Sequence, residues 1–228
     1  MMRKIIDKII DIVLPPKEGE DAVKEASSVS GVKAVSLEQL LGGALGDGAA
    51  EPDLRVIGLY SSVEDEKIAE LTQALLYLNE TNRLLPEGKE KKPVEFYINT
   101  YGGSADDMFA MYDVMQQVME ETEIHTIGVG KVMSAGTLLL AAGTKGKRKI
   151  GRNCRVMIHN VAAGNFGNLP NLANELEAIQ RLQEDYISAM VENTKFTRKK
   201  LEKLLNQKVN IYLDAEEAVK YGLADEIM

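Results

Sequence analysis

Two hydrophobic periods alternate along the chain from about residue 54 onward. Short apolar runs predict strands, and longer segments with apolar residues every three or four positions predict helices. The predicted strands are Arg55–Leu59, Val94–Asn99, His125–Val129, Arg148–Ile150, Arg155–His159, Ile211–Leu213 and a last short strand. The predicted helices are Asp65–Thr81, Ala105–Glu121, Leu138–Ala142, Leu169–Asn193, Arg198–Leu205 and Ala215–Tyr221. This alternation predicts an α/β domain with a mostly parallel sheet, whose ligands bind beyond the carboxyl ends of the strands.

The first 53 residues follow a different pattern and predict an N-terminal extension. Isoleucines recur at helical spacing before Pro15-Pro16, so we expect a short amphipathic helix there. Charged residues interrupt this run, which is not typical of a signal peptide. Residues 17–51 are small, acidic and rich in glycine and alanine, which indicates a flexible linker or a pro-segment. The folded domain is therefore predicted over residues 54–228.

Net charge, cysteine content and the length of the apolar runs exclude some classes of protein. The formal net charge is −8, which argues against a general nucleic-acid binder because such proteins need a basic face. Cys154 is the only cysteine, so no intramolecular disulfide can form. Its burial beside a strand is expected, and a reducing, cytoplasmic location is favoured. No apolar run approaches the roughly 20 residues of a membrane-spanning helix.

Ser134 and His159 are the strongest candidates for catalysis. Ser134 lies at a predicted strand-to-helix turn among small residues, and His159 ends a predicted strand 25 residues later. A serine on a tight turn with a histidine beside it is the arrangement that makes a hydroxyl nucleophilic. Ser134 taken alone would be interpreted as a helix N-cap. His125, the other histidine, opens a strand and is the weaker candidate for a general base.

Backbone N–H groups at two glycine-bearing turns suggest an oxyanion hole. Gly102 and Gly103 precede a predicted helix, and paired glycines often serve only to make a tight turn. Unhindered N–H groups at a helix start can also bind an anion, here together with the N–H of Ala135. Nucleotide-binding glycine motifs are missing from the sequence, and we expect neither a metal nor another cofactor.

Five ordered segments resemble the proteolytic subunit family of the Clp protease. They are VIGLYSSV, FYINTYGGS, GKVMSAGTLLLAAGTKGKR, RVMIH and YLDAEEAVKYGLADEI, which together span nearly everything from Val56 onward. The resemblance implies a crotonase-like α/β fold of repeated ββα units with a protruding handle helix at Leu169–Asn193. It implies Ser134 as nucleophile, His159 as base, and Gly103 or Gly102 with Ala135 as oxyanion donors.

The same resemblance implies an assembly and partners. Family members form seven-membered rings stacked face to face as a tetradecamer around a closed chamber. An AAA+ unfoldase consumes ATP and feeds unfolded polypeptide into that chamber. The expected activity is serine endopeptidase activity, with no ATP site in this chain.

Departures from the family pattern cluster at the third catalytic position. Counting back from the matched C-terminal segment, Asn210 stands where the family has the catalytic aspartate. Asn206 and Val209 replace two other charged residues nearby, and Tyr101 replaces the proline before the Gly-Gly turn. An asparagine oxygen can accept the histidine Nδ1–H, but it supplies no negative charge. The sequence therefore predicts weak or conditional hydrolysis. Asp214, the nearest carboxylate in sequence, is expected to be a helix N-cap instead.

Two alternatives belong to other functional classes. The first is a catalytically quiet ring subunit that assembles with an active paralogue, which the three replaced charged positions suggest. The second is an acyl-CoA enzyme of the crotonase type, which shares the fold and the oxyanion-binding turn. Such an enzyme has no need of a paired Ser134 and His159.

Overall fold

The computed structural model describes residues 54–164, 166–207 and 210–228, so the predicted extension over residues 1–53 lies outside the described residues. The strands are β1 (Val56–Leu59), β2 (Val94–Thr100), β3 (Ile124–Met133), β4 (Lys149–Ile150), β5 (Arg155–Ile158), β6 (Ile211–Leu213) and β7 (Glu226–Ile227). The helices are α1 (Asp65–Arg83), α2 (Ala105–Val118), α3 (Ala135–Ala141), α4 (Leu169–Asn193), α5 (Arg198–Leu205) and α6 (Ala215–Tyr221). None of these helices is long and apolar enough to cross a membrane.

The described strands form one sheet of seven. Strands β1, β2, β3, β4 and β7 lie side by side in that order, and each pairs with its neighbour in parallel. The last residues of β3 leave β4 and pair instead with β5, also in parallel. β6 is antiparallel to β5 and ends this second branch of the sheet. The predicted parallel α/β architecture is confirmed.

A bulge in β3 creates the branch. Ile98 pairs with Gly128, whereas Thr100 pairs with Val132, so β3 has two extra residues between these pairs. Gly130 lies within the bulge at φ +65, a conformation that favours glycine. The sequence prediction ended this strand at Val129, but the chain accommodates Gly130 in the bulge and the strand continues to Met133.

The core lies between the sheet and its helices. Phe96 and Ile98 of β2 and the methionines of α2 are fully or almost fully buried. Helix α3 is buried along its whole length, from Ala135 to Ala141. Each large apolar side chain removed from water contributes about 2 kcal/mol to folding. This packing fixes the turn from which α3 starts, which is the turn that contains Ser134.

An ion pair joins β4 to the C-terminal segment. Arg148 donates from Nη2 to Oδ1 of Asp225 at 2.6 Å and from Nε to Oδ2 at 2.9 Å. The Arg148 side chain is only 5% exposed, and its Nη1 donates to the backbone oxygens of Ala141 and Asn193. The hydrogen bonds from Arg148 lower the pKa of Asp225 to about 2.

We expect Asp225→Asn to destabilise the protein by about 3 kcal/mol, because it leaves a buried guanidinium unpaired. The midpoint of urea unfolding measures this. Glu226→Gln is the matched control, since Glu226 pairs with Lys149 on the surface and its loss should cost under about 1 kcal/mol. Because the pKa of Asp225 is lowered on folding, its stabilisation is present above about pH 4 and is lost as the pH falls toward 2. Equal effects of the two variants would contradict this assignment.

Candidate active site

The carboxyl ends of three neighbouring parallel strands meet at one edge of the sheet. Strand β2 leads into the Gly102-Gly103 turn, β3 leads into Ser134, and β5 leads into His159. In parallel α/β sheets this edge is where ligands bind. The topology therefore brings together four of the residues selected from the sequence.

Ser134 occupies a strained turn between β3 and α3. Its φ of 52 and ψ of −123 make it the one residue other than glycine with positive φ among those described. Such a conformation costs on the order of 1–3 kcal/mol and persists only where the surroundings impose it. Here the Ser134 N–H donates to the Met157 oxygen at 2.8 Å, and its carbonyl accepts from the N–H and Oγ1 of Thr137. The Ser134 side chain makes no N-cap hydrogen bond.

Ser134 Oγ lies 2.6 Å from His159 Nε2. The hydroxyl donates this hydrogen bond when the imidazole is neutral with its proton on Nδ1. Burial lowers the pKa of His159 below its usual 6.5, which favours the neutral form at pH 7. This pair has the geometry and the protonation state of a nucleophile with its general base.

His125 lies far from this pair. It opens β3, and its Nε2 is 2.8 Å from Oε2 of Glu123. Because a strand rises about 3.3 Å per residue, the length of β3 separates His125 from Ser134 by roughly 25 Å.

The two glycines differ in what their N–H groups do. The Gly102 N–H donates to Thr100 Oγ1 at 3.0 Å, and that hydroxyl donates to the Ser61 oxygen at 2.6 Å. The N–H groups of Gly103 and Ala135 have no acceptor among the described residues. Both are therefore available to an oxyanion at the Ser134 turn.

Close packing also requires glycine at both positions. A Cβ on Gly102, at φ +99, would lie 2.5 Å from Cβ of Ser134. A Cβ on Gly103 would lie 2.1 Å from the Val63 oxygen. Any larger residue would move the turn away from Ser134.

A small apolar recess of about 30 Å³ opens beside the pair. It is lined by Ala105, Met108, Ala135, His159, Asn160, Val161 and Tyr186. The Tyr186 hydroxyl lies 2.9 Å from Thr137 Oγ1, and burial raises the pKa of Tyr186 to about 12. The tyrosine therefore stays neutral, and an uncharged side chain suits this recess.

Comparison with known proteins agrees with this geometry. Residues 52–228 match the model of the family described as Clp protease. The chain belongs to the Clp protease family. It is 33% identical over 174 residues to the "ATP-dependent Clp protease proteolytic subunit" of Deinococcus radiodurans, an alignment that covers 76% of this chain and 80% of the relative. The resemblance seen in the sequence is thereby confirmed, and membership of this family supports serine protease chemistry.

Asn210, the predicted third catalytic residue, lies near His159 but makes no hydrogen bond with it among the described residues. β5 and β6 are antiparallel with Ile158 opposite Ile211, so the register places Asn210 opposite His159. Asn210 is exposed, and its side chain makes no hydrogen bond with any described residue. His159 Nδ1 likewise has no partner in the described part of the chain.

No carboxylate in the described part of the chain contacts His159. Asp214 caps α6: its Oδ1 accepts from the N–H of Glu217 at 2.8 Å, as expected from the sequence. Asn206 is the exposed C-cap of α5, and Val209 lies outside the described residues. Among the described residues no group of three or more His, Cys, Asp and Glu side chains could hold a metal ion.

Two residues that shape the site were not predicted from the sequence. Thr100 binds the Gly102 N–H, and Tyr186 supplies a wall of the apolar recess. A polar residue ending an otherwise apolar strand beside Gly-Gly could have indicated Thr100. Nothing in the local sequence indicates Tyr186, because it reaches the site through the packing of helix α4, which is distant in sequence from Ser134.

Proposed function

We propose that this chain is the proteolytic subunit of an ATP-dependent Clp protease, a serine endopeptidase that hydrolyses unfolded polypeptides. The observation that carries the proposal is the 2.6 Å contact between Ser134 Oγ and His159 Nε2 at the strained turn. The family match and the name of the relative favour this function over the quiet-subunit alternative.

Each chemical step has a residue to perform it. Ser134 Oγ attacks the peptide carbonyl carbon while His159 Nε2 takes the hydroxyl proton. The carbonyl oxygen becomes an oxyanion, which accepts hydrogen bonds from the N–H groups of Gly103 and Ala135. His159 then gives its proton to the leaving amine, and the C–N bond breaks. In the second half of the reaction, water attacks the acyl carbon while His159 takes a proton from it. His159 then returns this proton to Ser134 Oγ as the ester bond breaks, which releases the acid product and free Ser134.

Asn210 is proposed as the residue that orients His159. Its place opposite His159 in the antiparallel register supports this role. In that role its amide oxygen accepts the Nδ1–H of His159 and selects the tautomer that leaves Nε2 ready to accept a proton. Since the amide is neutral, it stabilises the imidazolium less than an aspartate would.

The proposed assembly is two heptameric rings stacked as a tetradecamer, with one or more kinds of chain, working with an AAA+ Clp unfoldase in the cytoplasm. The handle helix α4 exposes Leu169, Leu172 and Leu176, and Phe166 before it is fully exposed. Such an apolar stripe supports a docking role for α4. This chain is proposed to need no cofactor, since the unfoldase hydrolyses the ATP.

Degradation assays with and without the unfoldase test this function. The full chain should cleave a short unstructured peptide without ATP, and it should degrade a folded, tagged protein only with an AAA+ Clp unfoldase and ATP. The Ser134→Ala variant is the control for contaminating proteases. No cleavage of either substrate by the assembled chain, with or without a co-purifying paralogue, would contradict the proposal.

The acid limb of the pH–rate profile should have its midpoint below pH 6.5. Because burial lowers the pKa of His159, the neutral base persists to lower pH than for an exposed histidine and is lost as the pH falls through the lowered value. The pH dependence of kcat/KM for a peptide without ionisable side chains measures this. A midpoint above 6.5 would contradict this expectation. It would require a negative charge near His159 that the described residues do not provide.

A further inference from the structure

From the surroundings of Lys131, we infer that this residue and its aromatic neighbour Tyr101 form a cationic subsite that prefers substrates with a carboxylate near the scissile bond. The inference rests on the proposed protease function and adds a substrate class to it. Lys131 lies in the β3 bulge, three residues before Ser134, and Tyr101 comes directly before Gly102.

Two contacts hold the Lys131 side chain in place. Its Nζ donates to Asn99 Oδ1 at 2.9 Å and lies 4.4 Å from the centre of the Tyr101 ring. A cation above a tyrosine face is attracted by the ring quadrupole. The Tyr101 side chain is 71% exposed, so the pair borders solvent rather than the core. The ammonium is thus held at the edge of the site, and it has N–H groups left to donate hydrogen bonds to a ligand.

The charge of Lys131 is not neutralised by the described part of the chain. None of the carboxylates there pairs with Lys131 or with Arg155. The parallel register pairs Lys131 with Arg155 on the neighbouring strand β5, so their Cα atoms lie about 5 Å apart. Like charges at paired positions repel. An anion bound at Lys131 would reduce that repulsion, in a chain whose net charge is −8.

The distance from Lys131 to Ser134 determines which substrate residue the ammonium can contact. Three residues of strand separate their Cα atoms by roughly 10 Å. An extended polypeptide advances by a similar rise per residue, so the ammonium should meet a side chain two to four residues from the scissile bond. Aspartate or glutamate at that place would make a charge-assisted hydrogen bond to Nζ.

Peptide kinetics with single Gln-to-Glu replacements test the inference. One quenched fluorogenic parent peptide, neutral throughout, receives glutamate at each position from four residues before to four after the cleaved bond. We expect kcat/KM to rise about fivefold at one or two adjacent positions on one side, for the full chain in its assembled form. Raising the salt from 50 to 500 mM should remove most of this rise, because the added ions screen the charge.

Three variants distinguish the charge of Lys131 from a structural effect. Lys131→Gln should bring the ratio of Glu to Gln peptides to about one, and Lys131→Arg should keep it well above one. Lys147→Gln is the matched control, since it removes an exposed lysine near Glu123 at the opposite end of β3 and should keep the wild-type ratio.

Labelling Ser134 with a fluorophosphonate separates the two possible failures. In one sample the probe should label Ser134, and a second, unlabelled sample of the same protein should cleave the neutral peptide. If both results are seen but glutamate gives no preference, or one that Lys131→Gln retains, the subsite is overturned and the protease function stays intact. Absence of both labelling and cleavage overturns the protease function itself.

Discussion

Asn210→Asp should raise kcat for peptide hydrolysis, by a factor on the order of 10² to 10⁴. In chymotrypsin-type proteases the opposite change, from aspartate to asparagine, lowers turnover about 10⁴-fold. The register places position 210 opposite His159, so a carboxylate there would accept the Nδ1–H and stabilise the imidazolium formed during attack. Steady-state kinetics of the assembled variant on a neutral peptide measures the gain.

A second measurement ties this gain to His159. The new carboxylate favours the charged imidazole, so the acid limb of the pH–rate profile should move to higher pH. Asn206→Asp is the matched control because it adds the same charge at the exposed end of α5, away from the register position opposite His159. Similar gains from both variants, or an unmoved acid limb in Asn210→Asp, would show that position 210 does not act through His159.

Removal of either Ser134 or His159 should lower kcat by at least about 10³-fold. Residues that act as a unit in catalysis lose most of the rate when either one is removed, and removing both costs little more. Ser134→Ala, His159→Ala and the double variant should therefore retain similar residual rates. Rates of a fluorogenic peptide, corrected for enzyme concentration, measure this.

His125→Ala is the control for the histidine change. His125 pairs with Glu123 at the far end of β3, so its loss should leave kcat within about twofold of the wild type. Additive losses for Ser134→Ala and His159→Ala, each of modest size, would contradict their action as a pair.

Much of this fold could be predicted from the sequence because its elements follow strict hydrophobic periods. The strands β2 and β5 and the helix α4 have nearly the predicted bounds, and the Ser134 turn is where the pattern changed from strand to helix. The hydrogen bond between Ser134 and His159 follows from parallel strands that end at one edge. The five sequence segments resembling the Clp protease also indicated the family.

The rest depended on contacts that no local pattern contains. Helix α3 starts at Ala135 rather than Leu138, because the tertiary contacts of Thr137 stabilise a turn whose short apolar sequence has no helix signal of its own. Tyr186 reaches the active-site recess from helix α4, and its hydroxyl lies 2.9 Å from Thr137 Oγ1, 49 residues away in sequence. The contact between Lys131 and Tyr101 depends on the bulge in β3, which is seen only in the pairing of β3 with β2.

The most direct test of the central claim is to follow fluorophosphonate labelling and peptide hydrolysis in the same sample of assembled protein. Peptide mapping by mass spectrometry locates the adduct and gives the labelled fraction. We predict a single adduct on Ser134, with residual activity falling in proportion to the labelled fraction and reaching zero at full labelling. An adduct on another residue, or hydrolysis that persists when Ser134 is fully labelled, would contradict the account.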